Sequence, residues 1–174
     1  MDQLIQLLRD HPNDPSIPDL IKGAEAAADV NLLQQSKQLS GVWELRWSSA
    51  SQPWLKQSPW LQNLQVLDPY HRRGCNLLRL RGPLQHVGAI RVDASLNLVD
   101  HNRVQIQFRR GGWMGPRLSD RKRLELMRDV DQRFPAWLDI TVLDHELRIC
   151  KGNAGTVFAL LRLQQSNSIS TYFK

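Results

Sequence analysis

The sequence predicts a mainly β domain in which a helical segment precedes a run of antiparallel strands. Three observations carry this. Apolar residues recur at helical spacing through the first 35 or so positions, and from Gly41 onward the period changes from 3.6 to 2. The 174 residues, 41% of them hydrophobic, suffice for one domain with a real core. About seven alternating strands in one chain close into a barrel or stack as a sandwich, and alternation alone does not choose between them.

The opening "MDQLIQLLRD" places Leu4, Leu7 and Leu8 on one helical face. The prolines of "HPNDPSIP" break it, and Ser16 before Pro18 and Asp19 starts a second helix, expected to run to about Gln35. In "GVWELRW" (41–47), Trp43, Leu45 and Trp47 fall on one face of an extended chain and Glu44 and Arg46 on the other. Further strands are read at 64–68, 75–81 and 86–100. The last puts Ile90, Val92, Ala94, Leu96 and Leu98 on one face. Another at 103–110 turns Val104, Ile106 and Phe108 inward. "SDRKRLELMRDV" (119–130) reads as a short helix capped by Ser119 or Asp120, inserted before three C-terminal strands. The polar tail is expected to be an edge strand or frayed. The expected organisation is a single domain: a helical segment 1–36, a β-barrel 39–163 and a tail 164–174.

Composition narrows the function classes. Lys and Arg number 23 against 17 Asp and Glu, a net charge of +6 and a pI near 9.8. That balance suits an anionic partner, a lipid surface or a nucleic acid, although it also serves solubility. Cys75 and Cys150 lack any metal-ligand spacing, so no metal or disulfide framework is expected. No apolar run reaches the roughly 20 residues of a membrane span. The N-terminus reads as neither a secretory signal nor a transit peptide, so the protein is expected inside a cell, soluble or peripheral on a membrane. A nucleic-acid platform is not expected, because the aromatics do not line one strand face.

Two stretches are more specific. "LSGVWELRW" (39–47) contains Gly41-Val42-Trp43, similar to the Gly-x-Trp signature of lipocalin-like barrels. Glycine allows a tight turn into the first strand, and tryptophan plugs the closed end. "WLDITVLDHELRICKGNAGTVFALLR" (137–162) resembles the C-terminal signature of the plastid lipid-associated protein family, the fibrillins. The matching positions are Leu138-Asp139, Leu143-Asp144, Arg148-Ile149, Gly152-Asn153, Gly155, Phe158 and Leu160. Trp47 stands where relatives tend to have tyrosine.

The resemblance implies a lipocalin-like antiparallel barrel that binds a lipophilic small molecule: a lipid, carotenoid, quinone or pigment precursor. It further implies peripheral association with thylakoid membranes or lipid bodies, and the missing transit peptide fits the cyanobacterial branch or a processed form. It implies binding without chemistry and no cofactor. The alternative is a bilin lyase or pigment-modifying enzyme on a similar barrel, for which no nucleophile pair or acid–base dyad is visible.

Candidate site residues follow. Trp47, Leu78, Leu80, Ile90, Val92, Ile106 and Phe108 are core if the barrel is filled and pocket lining if it is open; the resemblance favours lining. Trp43 is expected to pack structurally, with Arg148 or Arg162 over its ring. Asp139 is expected to pair with Arg148 or to cap backbone amides. Asp144, His145 and Glu146 read as a charged hairpin turn, and "KGNAG" (151–155) as a glycine turn without the Lys-Ser/Thr of a P-loop. The segment "RRGGWMGPR" (109–117) reads as a loop whose Trp113 and Met114, beside Arg109 and Arg110, suit a membrane interface. "PWLKQSPW" (53–60), with Trp54 and Trp60, is a second such loop. In either loop the tryptophans could instead fold back over the barrel mouth.

Overall fold

Three helices open the chain: α1 (Asp2–Asp10), α2 (Ile17–Ala27) and α3 (Leu32–Leu39). The computed structural model describes residues 1–52, 55–119, 122–164 and 168–173. α1 turns Leu4 and Leu8 inward and α2 turns Ile17 and Ile21 inward, with Pro18 in the first turn of α2 where its missing N–H does no harm. The single helix expected to about Gln35 is two. The chain is extended at Ala28, and Asn31 starts α3 by accepting from Leu33 N at 3.1 Å while its own N–H donates to Gln35 at 2.9 Å. The break lets Val30, Leu32 and Leu39 enter the barrel core.

Nine strands follow: β1 (Gly41–Ser48), β2 (Leu61–Asp68), β3 (Arg73–Leu80), β4 (Ala89–Leu98), β5 (Arg103–Ser119), β6 (Lys122–Asp129), β7 (Ala136–Leu143), β8 (Leu147–Gly152) and β9 (Val157–Arg162). Each pairs antiparallel with its neighbours. β9 returns to β1 and β5 pairs β7, so eight strands close into a barrel, as the lipocalin-like reading expects. β6 stands outside the ring. β5 lies beside β7 only from Arg103 to Ile106; beyond that its edge pairs with β6. At the split, the side chain of Gln132 replaces a strand. It accepts from Phe108 N at 2.6 Å and donates to the carbonyls of Ile106 at 3.3 Å and Phe134 at 2.7 Å.

Three expectations are corrected here. The helix expected over 119–130 is not found in its described part: the cap candidate Asp120 lies outside the described residues, and Lys122–Asp129 is β6. Its residues are good helix formers, but a free edge of β5 lies beside them, and pairing outweighs propensity. The segment 109–117 is not a loop but the continuation of β5, whose glycines allow close strand approach. The tail forms a 3₁₀ turn at Ile169–Phe173, whose Ile169, Tyr172 and Phe173 pack on the outer face of β1–β3 with Val42, Leu64, Val66 and Leu77.

Three apolar clusters result. The barrel interior holds Trp43, Leu45, Leu67, Leu96, Val104, Ile140, Leu143, Cys150 and Leu160, closed at one end by α3. α1 and α2 cover the outer face of β7–β9 and β1, burying Val142, Leu147, Ile149 and Ala159. The tail covers the outer face of β1–β3. Each Leu or Ile so buried contributes roughly 1.5–3 kcal/mol.

Gly112 tests the β5–β6 seam. A Cβ there would stand 1.9 Å from the backbone oxygen of Leu126. Gly112→Ala is expected to destabilise by about 1–3 kcal/mol in urea melts. Hydrogen exchange should find residues 122–129 deprotected while β1 and β2 are unchanged.

Candidate functional site

The closed end is organised on Trp43. The indole is fully buried, and its Nε1 donates to Leu39 O at 3.0 Å, tying β1 to the end of α3. Two arginines flank the ring: the guanidinium carbon of Arg162 lies 4.2 Å from its centroid and that of Arg148 5.1 Å. Both arginines expected as alternatives are therefore present. Arg162 also donates to main-chain carbonyls of Ser40 at 2.7 Å, His145 at 2.6 Å and Gln38, stapling the barrel rim together. Its guanidinium occupies the space beside Gly41, where φ is +150° and a Cβ would meet Arg162 Nη1 at 2.2 Å. The positive φ favours glycine at position 41, and a Cβ there would displace the Arg162 guanidinium.

Arg148 points inward from β8 and is fully buried. Its Nη2 donates to Gln65 Oε1, and its Nε and Nη1 have no hydrogen-bond partner. Burial lowers its pKa to about 10, which leaves it charged at neutral pH. Cys150, next along the inner face, supplies no counter-charge, because burial pushes its thiol up.

Gln65 forms part of the wall of a cavity of about 30 Å³ inside the barrel, room for little more than one water. Val92, Leu96, Ile106, Phe108 and Leu138 are among its apolar neighbours in the wall, and Asn76 is a second polar one. Larger depressions, of about 320 and 420 Å³, lie outside the ring where β5 leaves β7, lined by Gln107, Gln132 and charged residues. They are open and polar, and the interior is the better candidate for an apolar ligand.

The predicted lining divides into three. Val92, Ile106 and Phe108 face the cavity. Leu78 and Ile90 lie directly opposite one another one inward position nearer the open end, and Leu80 one further. Trp47 does not line the barrel. A bulge in β1 between Leu45 and Trp47 turns Trp47 outward onto the α1–α2 cluster, and Arg46 donates to Leu8 O at 2.8 Å and Arg9 O at 2.7 Å on α1.

The open end carries large exposed apolar side chains. Ile90, Trp113 and Leu126 form one row across β4, β5 and β6, with exposures of 53%, 38% and 72%. Trp60, at the start of β2, is 77% exposed, and Leu84 and Val87 are exposed in the β3–β4 connection. Arg109 and Arg110 are exposed, the first donating to Ser95 at 3.2 Å and the second 3.8 Å from Asp129. Met114 is corrected as a surface contact: it is buried on the opposite face of β5, in the outer cluster with Val42 and Leu77. Trp54 lies outside the described residues.

The C-terminal motif is structural in part. Asp139 pairs with Arg103, not Arg148, through Nε at 2.5 Å and Nη2 at 2.9 Å. The two stand opposite each other on the outer face of β5 and β7, whereas Arg148 points inward. Asp144 to Glu146 turn between β7 and β8, and Gly155, with φ +77°, turns between β8 and β9. Gly152 N–H donates to Thr156 O at 2.9 Å in that turn, and Phe158 packs inward against the core. Sequence reasoning passed over Gln65 and Leu126. Gln65 lies at an inward position of β2, whose sequence LQNLQVLD mixes polar and apolar residues on that face and so gave no signal that marked it out.

Among the described residues no group of three or more His, Cys, Asp and Glu is placed to hold a metal ion, and no helix is long and apolar enough to cross a membrane.

Arg162→Lys keeps the charge but not the reach of a planar fork. It is expected to destabilise by about 2–4 kcal/mol in chemical denaturation. Both thiols are buried, and Cys75 is pushed up to about 11 by burial. A thiol-specific reagent at pH 8 should therefore label the folded protein slowly and the unfolded chain at once.

No curated protein and no solved structure gives a significant match to this chain. The PAP_fibrillin family model matches residues 8–161, from the last turns of α1 to the end of β9. That span includes the Trp43 node, Arg148 and the cavity wall, and the chain belongs to the PAP/fibrillin family.

Proposed function

We propose that this protein is a lipid-binding barrel that rests its open end on a membrane or lipid-body surface and takes a lipophilic molecule into its interior. The observation that carries the reading is the apolar open end: Trp60, Leu84, Val87, Ile90, Trp113 and Leu126 are exposed around one rim. Monomeric proteins seldom leave so many large apolar groups together at the surface without a use for them. Trp113 is suited to the headgroup region. Arg109, Arg110 and Arg128, also exposed, and the net charge of +6 favour an anionic surface. At the opposite end α3 and the arginines on Trp43 cover part of the interior, beside a depression of about 270 Å³ lined by Leu39, Leu96, Leu98 and Val104; the larger apolar side chains of the rim favour the rim as the way in.

The family and the barrel fit a lipid-associated protein, and the family is generally non-enzymatic, which supports binding rather than chemistry. The cargo classes are lipids, carotenoids, quinones and pigment precursors, and the setting is a photosynthetic membrane or its lipid bodies. The cavity of about 30 Å³ has to widen for cargo to enter, and Phe108 and Leu138, both partly buried in its wall, are placed to part.

Vesicle co-sedimentation tests the docking surface. The variant Trp60→Ser/Ile90→Ser/Leu126→Ser replaces three exposed side chains. It is expected to keep its melting temperature and to lose roughly tenfold or more in affinity for vesicles containing anionic lipid, since each apolar group contributes on the order of 1 kcal/mol on burial. Arg109→Gln/Arg110→Gln should reduce the dependence on anionic lipid and on salt. Unchanged vesicle affinity in both variants would refute the docking reading.

A further inference from the structure

The barrel interior carries a charge that no carboxylate among the described residues balances. Among the described residues the fully or nearly buried charged side chains are Glu44, Asp68 and Arg148. Glu44 is met by Arg81 and Arg46, and Asp68 by Arg73 and His71. Both carboxylates lie on outward positions of β1 and β2. Arg148 lies inward with no carboxylate partner among the described residues, two nitrogens unbonded and a second cation, Arg162, in contact with the same indole. Contact with the Trp43 ring offsets part of the desolvation, but a π-face does not satisfy N–H donors lying in the guanidinium plane. A buried charge is ordinarily paired or bound to a ligand.

The one group it does hold points to where a ligand would sit. Arg148 Nη2 is taken by Gln65 Oε1, and Gln65 is a wall of the interior cavity. The amide therefore stands between the guanidinium and the cavity. On the outer face, Asp139 takes Nε and Nη2 of Arg103 together. A carboxylate displacing Gln65 would take the same two atoms of Arg148, and Nε is already free. From Gln65 toward the open end the inner face is mixed and gains apolar side chains: Asn76 and Val92 share its row, then come Asn63, Leu78 and Ile90, then Leu61 and Leu80. Those positions span roughly 13 Å at about 3.3 Å per residue. The row of Leu78 and Ile90 continues across the sheet into the exposed Trp113 and Leu126.

We propose that Arg148 is the head-group seat of this barrel, and that the ligand is an amphiphile with a carboxylate head and a single apolar chain, of the long-chain fatty acid type. The head lies at Arg148 beside Trp43, and the chain runs past Phe108 and Ile90 to the open end. The inference rests on the lipid-binding reading above and narrows its cargo.

Binding of oleate and of oleyl alcohol to the purified full chain, followed by tryptophan fluorescence and titration calorimetry, tests it. The two probes share a chain and differ in the charged head. The wild type is expected to prefer oleate by about tenfold or more, the worth of a charge-assisted hydrogen-bond pair. Arg148→Met keeps the bulk, removes the charge and should fold; it is expected to bind the two probes alike. Gln65→Leu, which leaves Arg148 in place, should retain or increase the preference. Equal binding of oleate and oleyl alcohol by the wild type would overturn the inference and leave the lipid-binding reading intact. So would an oleate preference that survives in Arg148→Met. Binding of neither probe would overturn both. Acetate and inorganic phosphate, tested alone, should compete weakly; tight phosphate binding without a chain would reassign the seat to a free anion and overturn the fatty-acid inference.

Discussion

The structure depends on the packing of one indole. Trp43 joins four parts of the chain: β1, which carries it; α3, through Leu39 O; and β8 and β9, through Arg148 and Arg162. A barrel of this size has a gap where its last strand returns to its first, and the returning strand must be held in register. Here the register pairs Trp43 directly with Arg162. The arginine then reaches beyond the sheet to the backbone leading out of α3 and to the β7–β8 turn. Helix, first strand and last strand are thus fixed by Trp43 and Arg162, whose donors go to main-chain carbonyls. Such bonds fix geometry because a carbonyl has no rotamers of its own.

The two ends of the barrel follow from this difference in chemistry. The closed end is polar in its fastenings and apolar in its filling, with Leu32 and Leu39 beneath a hydrogen-bonded rim. The outer faces are also covered, one by α1 and α2 and another by the tail, where Arg73 lies 4.4 Å from the Phe173 ring centroid. The inner face beyond the end of β7 has no such cover. β5 runs on past β7 and takes β6 with it, so the sheet projects beyond the ring and turns Ile90, Trp113 and Leu126 into the open. The same extension that exposes these side chains requires glycine at Gly112, since the β6 backbone passes too close for a Cβ. Exposure and close pairing are two results of one long strand.

Much of this was legible in the sequence, and the failures have physical causes. Alternation located β1, β4 and β7 to β9, and the inward parity of Val92, Ile106 and Phe108 was right, because parity survives as long as no bulge intervenes. Trp47 was misread because one bulge at Arg46 reverses every later side chain of β1. β6 was misread because its local preference is helical and its strand state depends on a partner edge far along the chain. The segment 109–117 was taken for a loop because glycine and proline usually punctuate; here the glycines serve close approach inside a strand. Asp139 and Arg148 looked like partners by sequence spacing, but they occupy opposite faces of the barrel wall.

That separation bears on what Arg148 does. Asp139 finds its cation in Arg103 and is complete. Arg148, one strand away, is left with a tryptophan face and a single amide. Replacing a buried, unmatched charge with an apolar side chain of similar size tends to stabilise a protein, so Arg148 is poorly explained as a contributor to the empty barrel. Its partial stacking on Trp43 duplicates what Arg162 already does at shorter range. A ligand that brings the missing negative charge changes the sign of the argument. The desolvation is then shared by a completed pair, and whatever binds only the folded barrel stabilises it by mass action. On this view the unmatched guanidinium and the preference for a carboxylate head are one interaction, the second supplying the acceptors that the first lacks.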